Sequence, residues 1–268
     1  MKAVVISKLL KTIDELEVDL NAPEPELKEN QVLVEIKAAA LNYFDILQFA
    51  GVVIAVHPTV NNKFKPGDKV FGFGHGSFAE RVATNIENVL LIPNGMSFEE
   101  ASGLFITCPT SYTALVVSAN LQKDEWCLVH AAAGGVGIAA VQIAKALGAK
   151  VIATSGSKDK LAIAKNYGAD FGVNYKDKDW QKQVLNITGG HGVDVVYDPV
   201  GLVQASLKFI EVWNGLFKLF AEKKLKPVIY KNVYYGLHNV KHGLKAIANR
   251  ETYGKVVVIP NGGRESKI

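Results

Sequence analysis

Ala131-Ala132-Ala133-Gly134-Gly135-Val136-Gly137 is the stretch that decides the fold. It joins an apolar strand, predicted at residues 126–130, to a helix predicted at residues 136–147. The pattern is a variant of the dinucleotide fingerprint, with alanine at the first small position and glycine at the next two. Gly134 would let the backbone approach a pyrophosphate, and Gly137 would let the helix pack on the sheet. The N–H groups and the dipole of the helix N-terminus favour the negative charge of that group.

Beyond this turn, strands and helices alternate along the chain. Ser157 is placed to cap one helix and Gly168 to end it, and a polar helix begins near Asp179. Strands that alternate with helices of about 10–15 residues indicate a parallel sheet with right-handed crossovers. The strands predicted for this sheet are 126–130, 150–154, 171–174 and 193–197, followed by helices at 202–224 and 240–249 and a last strand at 255–259.

The N-terminal part of the chain, to about residue 100, is predicted to be mostly strand and turn. Val32, Val34 and Ile36 alternate with Leu33 and Glu35, which is the pattern of a half-buried strand. The chain has 268 residues, of which 49% are hydrophobic, so it is long enough for two domains. Together with the alternating segment, this predicts an α/β fold class.

The end of the second strand of the alternating segment indicates which dinucleotide the turn takes. A site for NAD has Asp or Glu about 20 residues beyond the glycines, where it binds the ribose 2′-hydroxyl. This chain has Thr154-Ser155-Gly156-Ser157 there, followed by Lys158 and Lys160, and Asp159 lies within the start of the helix. Hydroxyls and lysines suit a 2′-phosphate, so the pattern favours NADP(H). The alternative is that both lysines are ordinary surface residues of the first helical turn.

Composition bears on location and partners. The formal net charge is +4, there are two cysteines, and no apolar run reaches the roughly 18 residues of a membrane helix. Residues 1–6 are too short for the apolar part of a signal peptide, so we expect a cytoplasmic protein without a membrane partner. The final Ser266-Lys267-Ile268 is close to a peroxisomal address, which makes the peroxisome the alternative location.

A basic run around Lys218 and Lys223 bears on charged partners. Such a run is either a solvated helix face or a contact for an anion or a nucleic acid. No zinc-finger spacing or aromatic RNA motif accompanies it in the sequence, so nucleic acid is the less favoured partner.

Seven stretches, spread almost from end to end of the chain, carry a resemblance to a known family. They are 40–45, 65–70, 76–80, 110–115, the glycine turn with its helix, 195–201 and 254–258. In their residues, order and spacing the chain resembles the zeta-crystallin-like quinone oxidoreductases, zinc-free members of the medium-chain dehydrogenase/reductase superfamily.

The resemblance implies two domains with NADPH between them. A GroES-like, mostly-β catalytic domain would comprise residues 1–119 and 222–268, and a Rossmann domain with a doubly wound parallel sheet would comprise residues 120–221. Family members commonly form dimers, so we expect a homodimer. Asn42, with Tyr43 and Asp45, would line the pocket for the substrate and the nicotinamide. The residues predicted to contact the cofactor are Asn42, Thr110, Gly134, Gly135, Val136, Gly137, Ser155, Gly156, Lys160, Tyr175 and Arg250.

The chain departs in two ways from the superfamily that it resembles. Zinc members carry a catalytic Cys/His/carboxylate set and often a four-cysteine lobe, which Cys108 and Cys127 cannot supply, so we predict no metal site. Segments that the family has after Gly51 and near Ile210 are missing, and four strands of the doubly wound sheet are found where about six are usual. A sheet cut at that edge would leave hydrogen-bonding groups and apolar surface uncovered. Either the sequence leaves out loops of a longer chain, or the chain is a natural or engineered truncation.

Three functions fit these observations. Without a metal to polarise an alcohol, the expected chemistry is hydride transfer to an electrophilic acceptor, and NADPH-dependent, flavin-free quinone reduction is the leading hypothesis. The alternative is reduction of a conjugated double bond in an alkenal or enoyl compound, where Asn42, Tyr43 and Asp45 would orient the carbonyl; Asp45 is equally suited to a structural hydrogen bond. The third is a non-catalytic, crystallin-like or RNA-binding protein.

Overall fold

The computed structural model describes residues 1–5, 11–41, 48–60, 63–199 and 209–261, of which 209–214 by their backbone alone. The strands are β1 (Ala3–Val4), β2 (Val18–Asp19), β3 (Gln31–Leu41), β4 (Gln48–Val56), β5 (Lys69–Phe73), β6 (Arg81–Asn85), β7 (Val89–Leu91), β8 (Trp126–Val129), β9 (Lys150–Ser155), β10 (Phe171–Asn174), β11 (Val195–Tyr197), β12 (Tyr234–Tyr235) and β13 (Val256–Ile259). The helices are α1 (Phe98–Ser102), α2 (Leu104–Tyr112), α3 (Gly135–Ala146), α4 (Lys158–Asn166), α5 (Trp180–Ile187), α6 (Phe209–Ala221) and α7 (Val240–Ala248). Among the helices so described, none has the length and apolar character needed to cross a bilayer.

The chain divides into two compact units. One comprises Met1–Phe105 with Ile229–Ile268, and the other comprises Ile106–Val228. The domain boundaries expected from the sequence, 119/120 and 221/222, both lie within the second unit.

The first unit is built around the long strand β3. Val32, Val34 and Ile36 are fully buried, and the positions between them are half-buried, as the alternating pattern predicted. Their side chains pack in a core with Phe49 and Val70 from neighbouring strands. Over the described residues, the main sheet has the order β12-β13-β3-β4-β5-β7, with β6 also paired to β3.

The second unit contains the parallel sheet. In its described part, strands are ordered β10-β9-β8-β11, and every neighbouring pair is parallel. Helix α3 follows β8, α4 follows β9 and α5 follows β10, which is the predicted alternation. Strand β8 lies inside the sheet with Cys127 and Val129 fully buried. The predicted α/β fold class, a mostly-β unit plus a Rossmann-type parallel sheet, is confirmed.

The two places where the resemblance indicates missing segments differ in structure. Gly51 lies inside β4, where it pairs with Ile36 of β3 and Val70 of β5, so the hydrogen-bonded ladder continues across this position. Ile210 lies near the start of α6. Strand β11 stands at one end of the described strand order, and the Val196 side chain on it is 54% exposed. Uncovered apolar surface at this edge is what the short sheet led us to expect.

Several element boundaries differ from the sequence predictions. Strand β11 begins at Val195 instead of Val193, and the helix predicted to reach residue 224 ends at Ala221. Two residues beyond this end, Lys223 has a φ of 56°, a left-handed conformation that cannot be part of a right-handed helix. The sequence analysis also did not predict α1, although Ser97 and Glu100 form a capping box at its start.

Candidate dinucleotide-binding site

The glycine turn connects β8 to α3 at the carboxyl end of the parallel sheet. The backbone N–H of Ala132 donates to the carbonyl of Thr154 at 3.1 Å, which ties the turn to strand β9. Gly134 is the N-cap of α3 and provides no side-chain cap. The first backbone N–H groups of a helix have no hydrogen-bond partner within the helix. The N–H groups that follow Gly134 could therefore donate to an anion at the N-terminus of α3.

Close packing explains the glycine at residue 137. A Cβ atom there would lie 2.3 Å from the carbonyl oxygen of Ala131, a distance that no folded backbone tolerates. At Gly134 the same atom would lie 3.2 Å from that oxygen, so the constraint is weaker. Ala131 itself has a φ of 48°, the left-handed conformation that glycine adopts more easily. The turn is therefore defined by its backbone and requires Gly137 most strongly.

The predicted adenosine end is formed where β9 and β10 finish. Ser155, buried at the end of β9, pairs with Asn174 at the end of β10. Gly156 comes next, and a Cβ there would lie 2.6 Å from the hydroxyl oxygen of Tyr175. The Tyr175 side chain is 42% exposed. The pairing of β9 with β10 thus brings Tyr175 next to Ser155 and Gly156 at the carboxyl ends of these strands.

Helix α4 begins beside these residues. The side chain of its N-cap, Ser157, accepts a hydrogen bond from the backbone N–H of Lys160 at 3.4 Å, so the predicted capping role of Ser157 is confirmed. This places Lys160 in the first turn of α4, on the segment that follows Gly156. Asp159 also lies in that first turn, where a negative charge is favoured by the helix dipole.

His130 and Thr154 link the tips of the two central strands. The His130 Nδ1 and Thr154 Oγ1 atoms are 2.8 Å apart, and the imidazole meets the Trp180 ring edge-on at a centroid distance of 5.7 Å. The hydrogen bond and the ring contact assign His130 a structural role, which is to hold the ends of β8 and β9 together below the glycine turn.

The remaining predicted residues are placed as follows. Asn42, Tyr43 and Asp45 lie outside the described residues, as does the C-terminal tripeptide that begins at Ser266. Thr110 is exposed on α2, and its hydroxyl donates to the Ile106 carbonyl at 2.6 Å. Arg250 follows α7 in the first unit, with a φ of 59°.

Neither cysteine is placed to bind a metal. Cys127 is fully buried in β8 and Cys108 is buried in α2, and within the described ranges no group of three His, Cys, Asp or Glu side chains is arranged to hold an ion. Burial raises the pKa of the Cys127 thiol to about 12, which disfavours the thiolate that a zinc ion requires.

The sequence analysis missed one buried contact beneath the glycine turn. Ser111 and Tyr197 had been noted only as members of the family stretches, yet their hydroxyl oxygens lie 3.0 Å apart. A serine inside a predicted helix is the one local signal for such a contact, because serine disfavours helix interiors. The partner on β11 is 86 residues away in the chain and leaves no sequence pattern.

Comparison with known proteins places these features in context. A family model described as zinc-binding dehydrogenase matches residues 135–221. A highly reducing polyketide synthase of Didymella fabae is 34% identical over an alignment of 220 residues, and the match covers 76% of this chain and 11% of that protein. The chain thus spans 8 to 11% of the length of the first fungal polyketide synthases that it matches.

Solved structures match over both units. An NAD-dependent alcohol dehydrogenase is 30% identical, with a TM-score of 0.84 over 97% of this chain and 99% of that chain. The quinone oxidoreductase of Escherichia coli, whose structure was solved with NADPH, is 26% identical, with a TM-score of 0.87 over 97% of this chain and 100% of that chain. The likeness therefore extends beyond the glycine turn to the mostly-β unit.

Proposed function

Because the chain belongs to the medium-chain dehydrogenase/reductase superfamily, we propose that it is an NADPH-dependent oxidoreductase that reduces quinones without a metal or a flavin. The observation that carries this proposal is the glycine turn. Gly134 has no side chain to keep a diphosphate from the backbone, and the helix that begins there has no side-chain cap. The Escherichia coli quinone oxidoreductase, similar over both units, was solved with the same cofactor.

Preference for the 2′-phosphate rests on the end of β9. Ser155 and Gly156 occupy the place where an NAD-binding site has a carboxylate, and Lys160 lies in the helical turn that follows. A carboxylate there would repel the phosphate of NADPH, whereas the lysine ammonium would attract it. Tyr175 lies against Gly156, so its partly exposed ring is close to the end of β9 where the 2′-phosphate would bind.

In the proposed reaction, bound NADPH would supply a hydride to the acceptor. The residues of this chain would hold the diphosphate at the N-terminus of α3 and the 2′-phosphate near Lys160, and this binding would orient the reactive end of the cofactor. A quinone already has an electrophilic carbonyl system and needs no metal to activate it. This agrees with the burial of Cys108 and Cys127, which leaves neither thiol exposed as a ligand for a catalytic metal.

Reduction of a conjugated double bond is the second candidate. It is favoured by the 34% identity over 76% of this chain to a polyketide synthase that is named as highly reducing. Alkene and quinone reduction share the cofactor and the turn, so their difference lies in the acceptor pocket.

The test is turnover by the purified protein. With NADPH and para-benzoquinone we expect loss of reduced-nicotinamide absorbance, unaffected by a metal chelator, and a protein spectrum without flavin bands. Lys160→Gln is the matched control, because removing the ammonium in the first turn of α4 should raise the KM for NADPH while the fold stays intact. If the protein binds NADPH but oxidises it with none of the quinones tested, the proposal of quinone reduction is wrong. Identification of a saturated carbonyl product from a 2-alkenal would establish the second candidate.

A further inference from the structure

The hydroxyl of Ser111 is a junction between three elements of the second unit. Ser111 is fully buried near the C-terminal end of α2. Its Oγ atom lies 2.8 Å from the carbonyl oxygen of Val136 in the first turn of α3, and 3.0 Å from the hydroxyl oxygen of Tyr197 at the end of β11. The carbonyl of Thr107, one turn earlier in α2, lies 3.1 Å away.

The direction of these hydrogen bonds follows from counting protons. A serine hydroxyl has one proton, and the carbonyls of Val136 and Thr107 can only accept. The Ser111 proton is therefore directed to a carbonyl, at the shorter distance to Val136, and Tyr197 must donate its own proton to the serine oxygen. Burial raises the pKa of the Tyr197 hydroxyl to about 12, so this donor keeps its proton.

The position of this junction connects it to the ligand site. In a sheet ordered β10-β9-β8-β11, the chain order reverses beside β8, and ligands of such sheets bind at the carboxyl ends of the strands at that point. Tyr197 ends β11, and Val136 begins the helix that follows β8. Ser111 thus ties the helix that receives the diphosphate to the strand on the other side of the crevice.

We propose that Ser111 is a positioning residue for the dinucleotide. Through the Val136 carbonyl it sets where the first turn of α3 stands, and hence where the N–H groups of that turn meet the diphosphate. Tyr197 keeps the serine hydroxyl oriented toward Val136. This inference rests on the proposed NADPH-binding function. A serine that merely fills space would make the same contacts without affecting affinity, so the test must separate folding from binding.

Two variants form the matched comparison: Tyr197→Phe alone, and Tyr197→Phe combined with Ser111→Ala. Neither leaves a buried tyrosine hydroxyl without its acceptor, so both should melt within a few degrees of each other. They differ only in the Ser111 hydroxyl. By NADPH fluorescence titration we expect the double variant to bind about tenfold more weakly than Tyr197→Phe, which should stay within about threefold of the unmodified chain. In steady-state assays the KM for NADPH should rise while the KM for the quinone stays unchanged.

Ser111→Ala alone supplies the structural readout. It removes the acceptor of the Tyr197 hydroxyl, so its melting temperature should fall by roughly 5 °C, and the additional Tyr197→Phe change should recover most of that loss. Affinity for NADPH should stay low in both. If affinity recovers together with the melting temperature, or if all variants bind alike, Ser111 only fills space and the inference is overturned. An unmodified chain that does not bind NADPH would instead reject the proposed function itself.

Discussion

The two ends of the proposed dinucleotide site are built by different physical means. The glycine turn is defined by backbone packed against backbone, with a potential Cβ of Gly137 only 2.3 Å from a carbonyl oxygen. The adenosine end presents side chains, among them a Tyr175 that is 42% exposed and a Lys160 in the first turn of α4. Changes at the turn should therefore affect folding, and changes at the adenosine end should affect which dinucleotide binds.

The largest effect is expected from Gly137→Ala. The new methyl group would overlap the Ala131 carbonyl, and a backbone atom inside a packed turn cannot rotate away. We expect a loss of about 3 kcal/mol in the free energy of unfolding, measured by urea denaturation followed by circular dichroism. Gly134→Ala, where the contact is 3.2 Å, is the control and should cost less than half as much. Equal losses at both positions would show that close packing does not distinguish them.

At the other end of the site, Lys160→Gln should change binding and leave stability intact. Removing the ammonium should weaken NADPH binding about tenfold, or about 1.4 kcal/mol, and leave NADH binding within about twofold. Lys165→Gln, near the C-terminal end of the same helix, is the matched control and should bind both dinucleotides normally. If the unmodified chain takes NADH at least as tightly as NADPH, the assignment of the 2′-phosphate to this end is wrong.

Local patterns predicted the parts of the molecule whose cause is local. The alternation in β3, the strand before the turn, the helix after it and the cap at Ser157 all follow from residues within a few positions of one another. The glycine requirement could also be predicted, because Gly137 and Ala131 lie within the same short turn.

What the sequence analysis missed depends on contacts between distant residues. The pairing of Val256 with Leu41 in the first unit and the contact of Ser111 with Tyr197 in the second join positions that no short pattern relates. The close approach of Tyr175 to Gly156 is of the same kind, since it follows from β9 and β10 lying side by side. A sequence shows which residues are small or polar, and the sheet order decides what they meet.

Alkaline pH should lower the free energy of unfolding, because a thiol is buried in strand β8 below the glycine turn. Burial raises the pKa of Cys127 from 9.0 to about 12, so the folded state holds this proton more tightly than the unfolded state does. The stability gained is complete below the unfolded pKa and is lost as the pH rises toward the folded one. Between about pH 8 and about pH 10 we expect a loss of about 1 kcal/mol from this thiol. Cys127→Ala should flatten that slope in urea denaturation, and identical slopes in both proteins would contradict the assignment.

Among the glycine substitutions, the smallest effect on stability is expected from Gly156→Ala, which tests the comparison most directly. Its new methyl group would lie 2.6 Å from the Tyr175 hydroxyl, nearly as close as the contact at Gly137. Here the neighbour is the far end of an exposed side chain, which can rotate into solvent, so we expect a loss of about 0.5 kcal/mol or less. The displaced tyrosine should still weaken NADPH binding by about threefold, and Tyr175→Ala should weaken it to the same extent without an additional effect in the double variant. A loss of stability as large as that of Gly137→Ala would show that the adenosine end is as rigidly packed as the turn, and the distinction between the two ends would fail.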